Sequence, residues 1–449
     1  MEESTEGYRG SALHVLRKYG VKAGQMVEVV TTDELETRGL IVPRYEYADD
    51  AHIVLKLKSG YNIGLQVNSV KSMRPIQDSK QEEKIDSTTA RGHSEDSSLR
   101  KKNLLLVSTG GTIASRVDYR TGAVYPALSA SDLYLTVPEL DHLAVIHPEV
   151  VFSIYSENMT PSDWSVLSSR IIELARSKNS DGVVVMMGTD TLAYTSAALS
   201  FSLMGFEIPV VVVGAQRSSD RPSSDAALNL RSAALFALES KRPGVYVAMH
   251  LIENDQSIAI HAGTRVRKNH TSRRDAFQSI DAPLVATVEN ASEIKWNENY
   301  ELPKEDNHRS DRFRLRTKFD KNVALVKFHP GFDPSVLSHL VENGIRGIII
   351  EGTGLGHVSD LTVGVIADLV KSGIFVGMTS QCIWGHVDLN VYDTGRDLIQ
   401  AGAVPLENMF AETAFAKLSW VLGNFEETSE LMLTNFLGEF SLRIPLSTR

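Results

Sequence analysis

Three short segments of the 449-residue chain combine glycines, hydroxyls and carboxylates at spacings that could do chemistry. The first, Ser108-Thr109-Gly110-Gly111-Thr112-Ile113-Ala114, follows the apolar run Leu104 to Val107. Its two glycines permit a tight turn that presents Thr112 in a loop. The second, Met187-Gly188-Thr189-Asp190-Thr191, follows Val183 to Met187 and sets a hydroxyl beside a carboxylate where a helix is expected to start. The third, Tyr155-Ser156-Glu157-Asn158-Met159, follows the apolar run Val151 to Ile154. A threonine hydroxyl becomes a nucleophile only where a base or an electrostatic partner eases its deprotonation. Each segment also has a plain structural reading. Gly-Gly-Thr is a common strand-to-helix turn, Thr-Asp-Thr before a helix is commonly a cap, and Ser156-Glu157 ahead of Thr160-Pro161-Ser162 reads equally as loop and cap. The glycines form neither a G-x-G-x-x-G fingerprint nor a phosphate-binding G-K-[ST] loop.

The elements that must position these segments follow from periodicity. From Asn103 onward, short apolar runs (Leu104 to Val107, Val183 to Met187, Val210 to Val213, Val245 to Met249, Ala324 to Val326, Gly347 to Ile350, Ile374 to Gly377) alternate with amphipathic stretches. Helices are expected over Trp164 to Ser177, Thr191 to Met204 and Ala226 to Leu238. Such alternation predicts an α/β fold with a doubly wound, mostly parallel sheet. In sheets of that kind ligands bind outside the carboxyl ends of the strands, where the three segments would stand. Ahead of this core, residues 1–76 read as a small β-barrel domain of the SH3-like kind, an OB-like barrel being the alternative. Its clearest alternation has Ile53, Leu55 and Leu57 on one face with Lys56 and Lys58 on the other. Residues 77–102 are too polar to offset their ordering entropy and are expected to form a flexible linker. The core then divides into a large domain over 103–300, an interdomain linker over 301–322 that overlaps the polar stretch Lys295 to Arg316, and a smaller C-terminal α/β domain over 323–449.

Composition narrows the classes of function. With 42% hydrophobic and 23% charged residues the chain is expected to be an ordinary soluble protein. No apolar run approaches the ~20 residues that span a bilayer, and the acidic start Met1-Glu2-Glu3-Ser4 is unlike a signal or transit peptide. A single cysteine, Cys382, excludes an intrachain disulfide and fits a cytoplasmic location. The net charge of −10, with no basic run longer than Arg100-Lys101-Lys102, argues against unaided nucleic-acid binding. His261, His270, His329, His357 and His386 show no metal-ligand spacing, so no metal is expected. Lys268, read from its surroundings alone, is one charge in a basic stretch with Arg265, Arg267, Arg273 and Arg274.

Taken in order, the motifs resemble those of bacterial-type L-asparaginases. Thr109-Gly110-Gly111-Thr112-Ile113-Ala114 and Gly188-Thr189-Asp190-Thr191 are similar to that family's two threonine signatures. The likeness continues through Ile154 to Met159, Gly214-Ala215-Gln216-Arg217 and Arg267-Lys268-Asn269 ahead of Phe277. It then runs through Glu351 to Gly356 and Thr379-Ser380-Gln381-Cys382 to Glu412-Thr413-Ala414, so it covers roughly residues 103 to 425. The resemblance implies that Thr112 is a nucleophile in a mobile loop, and that Thr189, Asp190 and Lys268 form a Thr-Asp-Lys constellation. It further implies that Ser156 and Glu157 hold a substrate's α-carboxylate and α-amine, with Asp190 also on the amine. Tyr125 is the expected tyrosine beside the first threonine, Tyr119 being the alternative. Gly111 and Gly188, in the two threonine loops, are expected to line the substrate.

The first hundred residues add a second likeness. A small barrel and linker ahead of this core, with the wording of Thr109 to Asp118 followed by Tyr119-Arg120-Thr121-Gly122-Ala123-Val124, resemble the D-type subunits of archaeal-type glutamyl-tRNA(Gln) amidotransferases. That family's properties imply glutamine or asparagine as ammonia source and an E-type partner that carries ATP and Mg and accepts the ammonia. They also imply Glu-tRNA(Gln) held mainly by that partner, a homodimer of this chain within a heterotetramer, and no cofactor in the chain itself. Two alternatives stand beside this reading: a free-standing cytosolic L-asparaginase with an accessory domain, and a catalytically silent binding module on the same fold.

Overall fold

Runs of valine and leucine become buried strands only when helices cover both faces of their sheet, and the central sheet meets that condition. The computed structural model describes residues 7–42, 44, 49–57, 62–76, 101–111, 115–117, 124–126, 140, 142–217, 224–301 and 311–441. The segment expected to link barrel and core therefore lies almost wholly outside the described residues.

The N-terminal module is a helix α1 (Gly10–Lys18) and five antiparallel strands, β1 (Met26–Thr31), β2 (Glu36–Ile41), β3 (His52–Lys56), β4 (Asn62–Gln66) and β5 (Val70–Pro75). They are ordered β4-β3-β2-β1-β5. Sequence reading did not find α1, whose buried contribution is only Ala12 and Leu16, one turn apart. It also did not find β2 and β5, which bury two residues and one residue respectively. So few apolar positions leave no period to detect. Tyr8 closes the module: its hydroxyl donates to the Val42 carbonyl at 2.8 Å and accepts from the Val54 amide at 3.0 Å. Burial pushes that phenol up to about 12.

The large domain contains β6 (Asn103–Ser108), the short hairpin β7 (Ser115–Val117) and β8 (Val124–Pro126), β9 (Val145–Val150), α2 (Pro161–Ser177), β10 (Gly182–Met186), α3 (Leu192–Ser202), β11 (Pro209–Val213), α4 (Ala226–Glu239) and β12 (Gly244–His250). It continues with β13 (Ser257–Ala262), β14 (Val266–Lys268), β15 (Phe277–Ser279), β16 (Ala286–Glu289) and β17 (Glu293–Trp296). Its main sheet runs β17-β16-β13-β12-β11-β10-β6-β9. The strands from β9 to β12 are parallel, and β13, β16 and β17 are antiparallel. Alternate residues serve opposite faces. Leu104, Leu106, Val184, Met186, Val211 and Val213 pack with α4, while Leu105, Val107, Val183, Val185, Val210 and Val212 pack with Leu167 and Ile171 of α2 and Leu192 and Leu199 of α3. Each such side chain, fully buried, contributes about 1.5–3 kcal/mol.

Two expectations change here. The strand before Ser156 is β9, at Val145–Val150, not Val151 to Ile154. It is an edge strand, so it tolerates Pro148 and stays partly exposed, while the more apolar residues after it turn away beneath β6. The polar stretch starting at Lys295 begins inside β17, a half-exposed edge strand whose alternation is too short to register.

The small domain is a four-stranded parallel sheet, β18 (Val323–Lys327), β19 (Gly347–Gly352), β20 (Phe375–Ser380) and β21 (Val404–Pro405). On one face lie α5 (Ser335–Glu342), α6 (Asp360–Lys371) and α7 (Asp393–Gln400). On the other lies α8 (Ala411–Asn424), followed by α9 (Thr428–Leu433). Helices α3 and α8 form the seam between domains, where Phe201 stacks on Trp420 with centroids 5.7 Å apart. Arg265 crosses the same seam, donating to the carbonyls of Asn408 at 3.0 Å and Glu439 at 3.1 Å.

Behind α8, Lys417 and Glu439 form a completely buried ion pair at 2.7 Å, and Lys417 also donates to the Met432 and Thr434 carbonyls. Burial pushes the Lys417 ammonium down and Glu439 pulls it back up. Removing one partner strands the other charge. Glu439→Leu is expected to cost about 3–5 kcal/mol, read as a lowered urea midpoint with an unchanged slope.

Candidate active site

The order of the central strands decides where the site forms. The chain leaves β6 for β9 on one side, and leaves β10 for β11 on the other. The connections after these two adjacent strands therefore diverge, opening a crevice at their carboxyl ends, the usual ligand position in such sheets. The loops after β6 and β10 are those carrying Gly111 and Thr189.

Glycine lets the loops meet. Gly110 has φ 105° and Gly111 φ 82°, a region that side chains disfavour. A Cβ at Gly111 would stand 2.1 Å from the Gly188 nitrogen, and one at Gly110 would stand 2.4 Å from the Ile154 carbonyl oxygen. A Cβ at Gly188 would stand 2.7 Å from the Ser156 hydroxyl. All three sequence segments thus touch backbone to backbone, or backbone to side chain, at the crevice.

Lys268 enters from β14, 79 residues beyond Thr189. Its ammonium donates to Thr189 Oγ1 at 2.8 Å and to Asp190 Oδ1 at 2.7 Å. The lysine side chain is 14% exposed and the Asp190 side chain 67%, so the ammonium is largely withdrawn from water while the carboxylate faces it. The basic-stretch reading of Lys268 is therefore displaced. Its neighbour Arg265 is buried in the domain seam, and Arg267 pairs with Glu412 at 2.9 Å. Strand β14 is held by pairing with β15, Lys268 opposite the buried Phe277.

Ser156 and Glu157 lie in a single 3-10 turn, Ser156–Asn158, with Ser156 buried and Glu157 exposed. Thr191, expected as a helix cap, makes no side-chain cap bond. Its hydroxyl donates instead to the Ser156 carbonyl at 2.7 Å, tying the serine loop to the threonine loop. Helix α2 is capped by the Thr160–Asp163 pair, the Asp163 carboxylate accepting from the Thr160 amide at 2.8 Å. Tyr125 lies on β8 opposite Arg116. Thr112 and Tyr119 lie outside the described residues.

Sequence reading missed the supports beneath these groups. Asp225, fully buried, accepts from the amides of Gln216 and Arg217, both at 3.0 Å. Asn229, one turn on, donates to the Gly214 carbonyl at 3.0 Å, and its side-chain oxygen lies 2.6 Å from His250 Nδ1. The loop so held presses on the site, since a Cβ at Gly214 would stand 2.7 Å from Thr189 Cγ2. A lone Asp before a helix reads as a cap, so only its contacts reveal this use. Among the described residues no group of three or more His, Cys, Asp or Glu side chains could hold a metal ion, and no helix is long and apolar enough to cross a membrane.

A doubly wound core with an ammonium bridging a threonine and an aspartate at its switch point is of the asparaginase class. Residues 103–301 match the family model described as Asparaginase, N-terminal, and residues 322–432 match Glutaminase/Asparaginase C-terminal domain. The thermostable L-asparaginase from Thermococcus kodakarensis superposes with a TM-score of 0.64 at 33% identity, covering 76% of this chain and 99% of its own. The remaining N-terminal part matches GatD N-terminal domain over residues 21–74. The D-type subunit of the glutamyl-tRNA(Gln) amidotransferase of Sulfurisphaera tokodaii is 44% identical over 98% of this chain and 96% of its own length. That of Metallosphaera sedula is 45% identical over 98% and 97%. The chain belongs to the family of D-type subunits of glutamyl-tRNA(Gln) amidotransferases.

Proposed function

We infer that this chain is the amidase of a tRNA-dependent amidotransferase, releasing ammonia from glutamine or asparagine for the conversion of Glu-tRNA(Gln) to Gln-tRNA(Gln). The observation that carries the amidase is the Lys268 ammonium joined to Thr189 and Asp190 at the switch point of the sheet. The N-terminal module, shared with the D-type relatives along nearly their whole length, favours the amidotransferase over a free-standing asparaginase.

In this reading Thr112 Oγ attacks the side-chain amide carbon of the substrate. Backbone N–H groups of the glycine turn stabilise the oxyanion, at about 3–4 kcal/mol per donor. The C–N bond breaks, the nitrogen takes a proton and leaves as ammonia, and an ester to Thr112 remains. Water, positioned by Thr189 and made more acidic by the neighbouring Lys268 ammonium, attacks that ester, and its proton passes to the departing Thr112 oxygen. Ser156 and Glu157 hold the substrate's α-carboxylate and α-amine, Asp190 shares the amine, and Gly111, Gly188 and Tyr125 line the reacting end. Glutamine and asparagine differ by one methylene, a distinction worth about 1–3 kcal/mol in a pocket.

The ammonia passes to an E-type partner, which carries ATP and Mg and holds Glu-tRNA(Gln), this chain needing no cofactor of its own. The assembly is a cytoplasmic heterotetramer built on a homodimer of this chain. Ammonia release is expected to accelerate when that partner and Glu-tRNA(Gln) are added together; indifference to both would leave the free-standing asparaginase. Acid quench of the turning-over enzyme followed by peptide mass spectrometry should locate the acyl group on Thr112, and its recovery on Thr189 would reverse the order of the threonines. Thr191→Val, which unties the Ser156 loop, is expected to raise KM about fivefold with kcat little changed, as loss of one ordinary hydrogen bond requires.

A further inference from the structure

The small domain reaches the site from behind. Helix α8 opens with Ala411-Glu412-Thr413, all buried. Thr413 Oγ1 donates to the Thr264 carbonyl at 2.9 Å, and the Glu412 carboxylate forms an ion pair with Arg267, Oε1 lying 2.9 Å from Nε. Two consecutive residues of one helical turn thus grip both ends of Thr264–Arg267, the four residues that lead into Lys268. Neighbouring side chains of a strand point to opposite faces. On β14 this turns Arg267 toward α8 and Lys268 toward Thr189.

The Arg267–Glu412 pair is costly where it stands. Glu412 is 8% exposed, and its second oxygen is buried without a hydrogen-bond partner among the described residues. Burial pushes its carboxyl up, opposed by Arg267 and Lys327 and reinforced by Glu351. Tyr194, one turn beyond Asp190 on α3, completes the surroundings, its phenol pushed up to about 12 by burial and by Glu412 and Glu351. An apolar pair of similar volume would be at least as stable as a desolvated ion pair. What the charged pair provides is a fixed direction.

We propose that Glu412 is a positioning residue for amide hydrolysis: gripping Arg267 from the small domain, it sets the register of β14 and thereby holds Lys268 on Thr189 and Asp190. The role rests on the reading that Lys268 takes part in the chemistry. It makes the small domain a working part of a site whose Lys268–Thr189–Asp190 contacts all come from the large one.

The test uses the full chain, assayed for ammonia release from glutamine and asparagine across pH. Glu412→Ala is expected to lower kcat about tenfold, as a small displacement of an acid–base group does, to leave KM within about threefold and to displace the alkaline limb of the kcat profile. Glu412→Gln, which keeps the side chain's shape and a carbonyl oxygen facing Arg267, should restore kcat to within about threefold of the parent and return the limb. Unchanged kcat and limb in Glu412→Ala would overturn the proposal, as would a Gln variant as impaired as the Ala variant. If Glu412→Ala fails to fold, Arg267→Met cuts the same contact from the other side. It should show the same fall and displacement, and normal kcat and limb would sink the idea. Lys268→Met in the parent chain separates the two claims: if it stays active, the reading of Lys268 fails first; if it is inactive while Glu412→Ala behaves as the parent, the positioning role alone fails.

Discussion

Lys268→Met is expected to lower kcat for amide hydrolysis by about 10³-fold, the range over which a general acid or base contributes, with KM changed much less. Methionine keeps the length and most of the apolar stem of lysine. The substitution therefore removes the ammonium and its two contacts, 2.8 Å to Thr189 and 2.7 Å to Asp190, and little else. Asp190 is left without its partner, but it is well exposed and rehydrates, so the fold should lose little. A thermal midpoint within a few degrees of the parent, with kcat collapsed, is the expected pair of results. Turnover within tenfold of the parent would remove Lys268 from the chemistry.

Gly111→Ala is expected to cut kcat/KM about 100-fold, the scale of a misplacement of about 1 Å at a reacting group. Two effects combine. At φ 82° an alanine is strained by about 1–2 kcal/mol, and its Cβ would stand 2.1 Å from the Gly188 nitrogen and 2.4 Å from its Cα. These are backbone atoms, so neither can swing aside, and the loops of Thr112 and Thr189 must separate. Gly354→Ala is the control. It has φ 51° but nothing within 4 Å of its Cβ position, so it carries strain without collision. Equal losses in the two variants would show that the contact between the loops is immaterial.

Much of this protein was legible along the chain. The parallel strands β6, β10, β11, β12, β18, β19 and β20 each announce themselves as apolar runs, because a strand covered on both faces needs no polar residue. Edge or half-exposed strands escaped notice, β2, β5, β9, β16 and β17, where burial asks little of the sequence; so did the fully buried β13, whose apolar residues are interrupted by Ser257 and His261. The threonine loops were visible as glycine-rich turns after strands, yet each turn alone reads as ordinary connection.

Sequence by itself determined the glycines at 110, 111 and 188, the hydroxyls and carboxylate beside them, and the alternation that builds a doubly wound sheet, because these are local requirements of backbone and burial. Tertiary structure alone decided that β6 and β10 are neighbours whose loops diverge, which brings Gly111 onto Gly188. It also turned Lys268 from one cation in a basic stretch into the partner of Thr189 and Asp190. Thr191, a cap by its position, became instead a tie to Ser156, and Glu412 became the far anchor of Arg267. Those relations join residues far apart in the chain, and only strand order and domain packing, which no local pattern encodes, bring them within hydrogen-bonding distance.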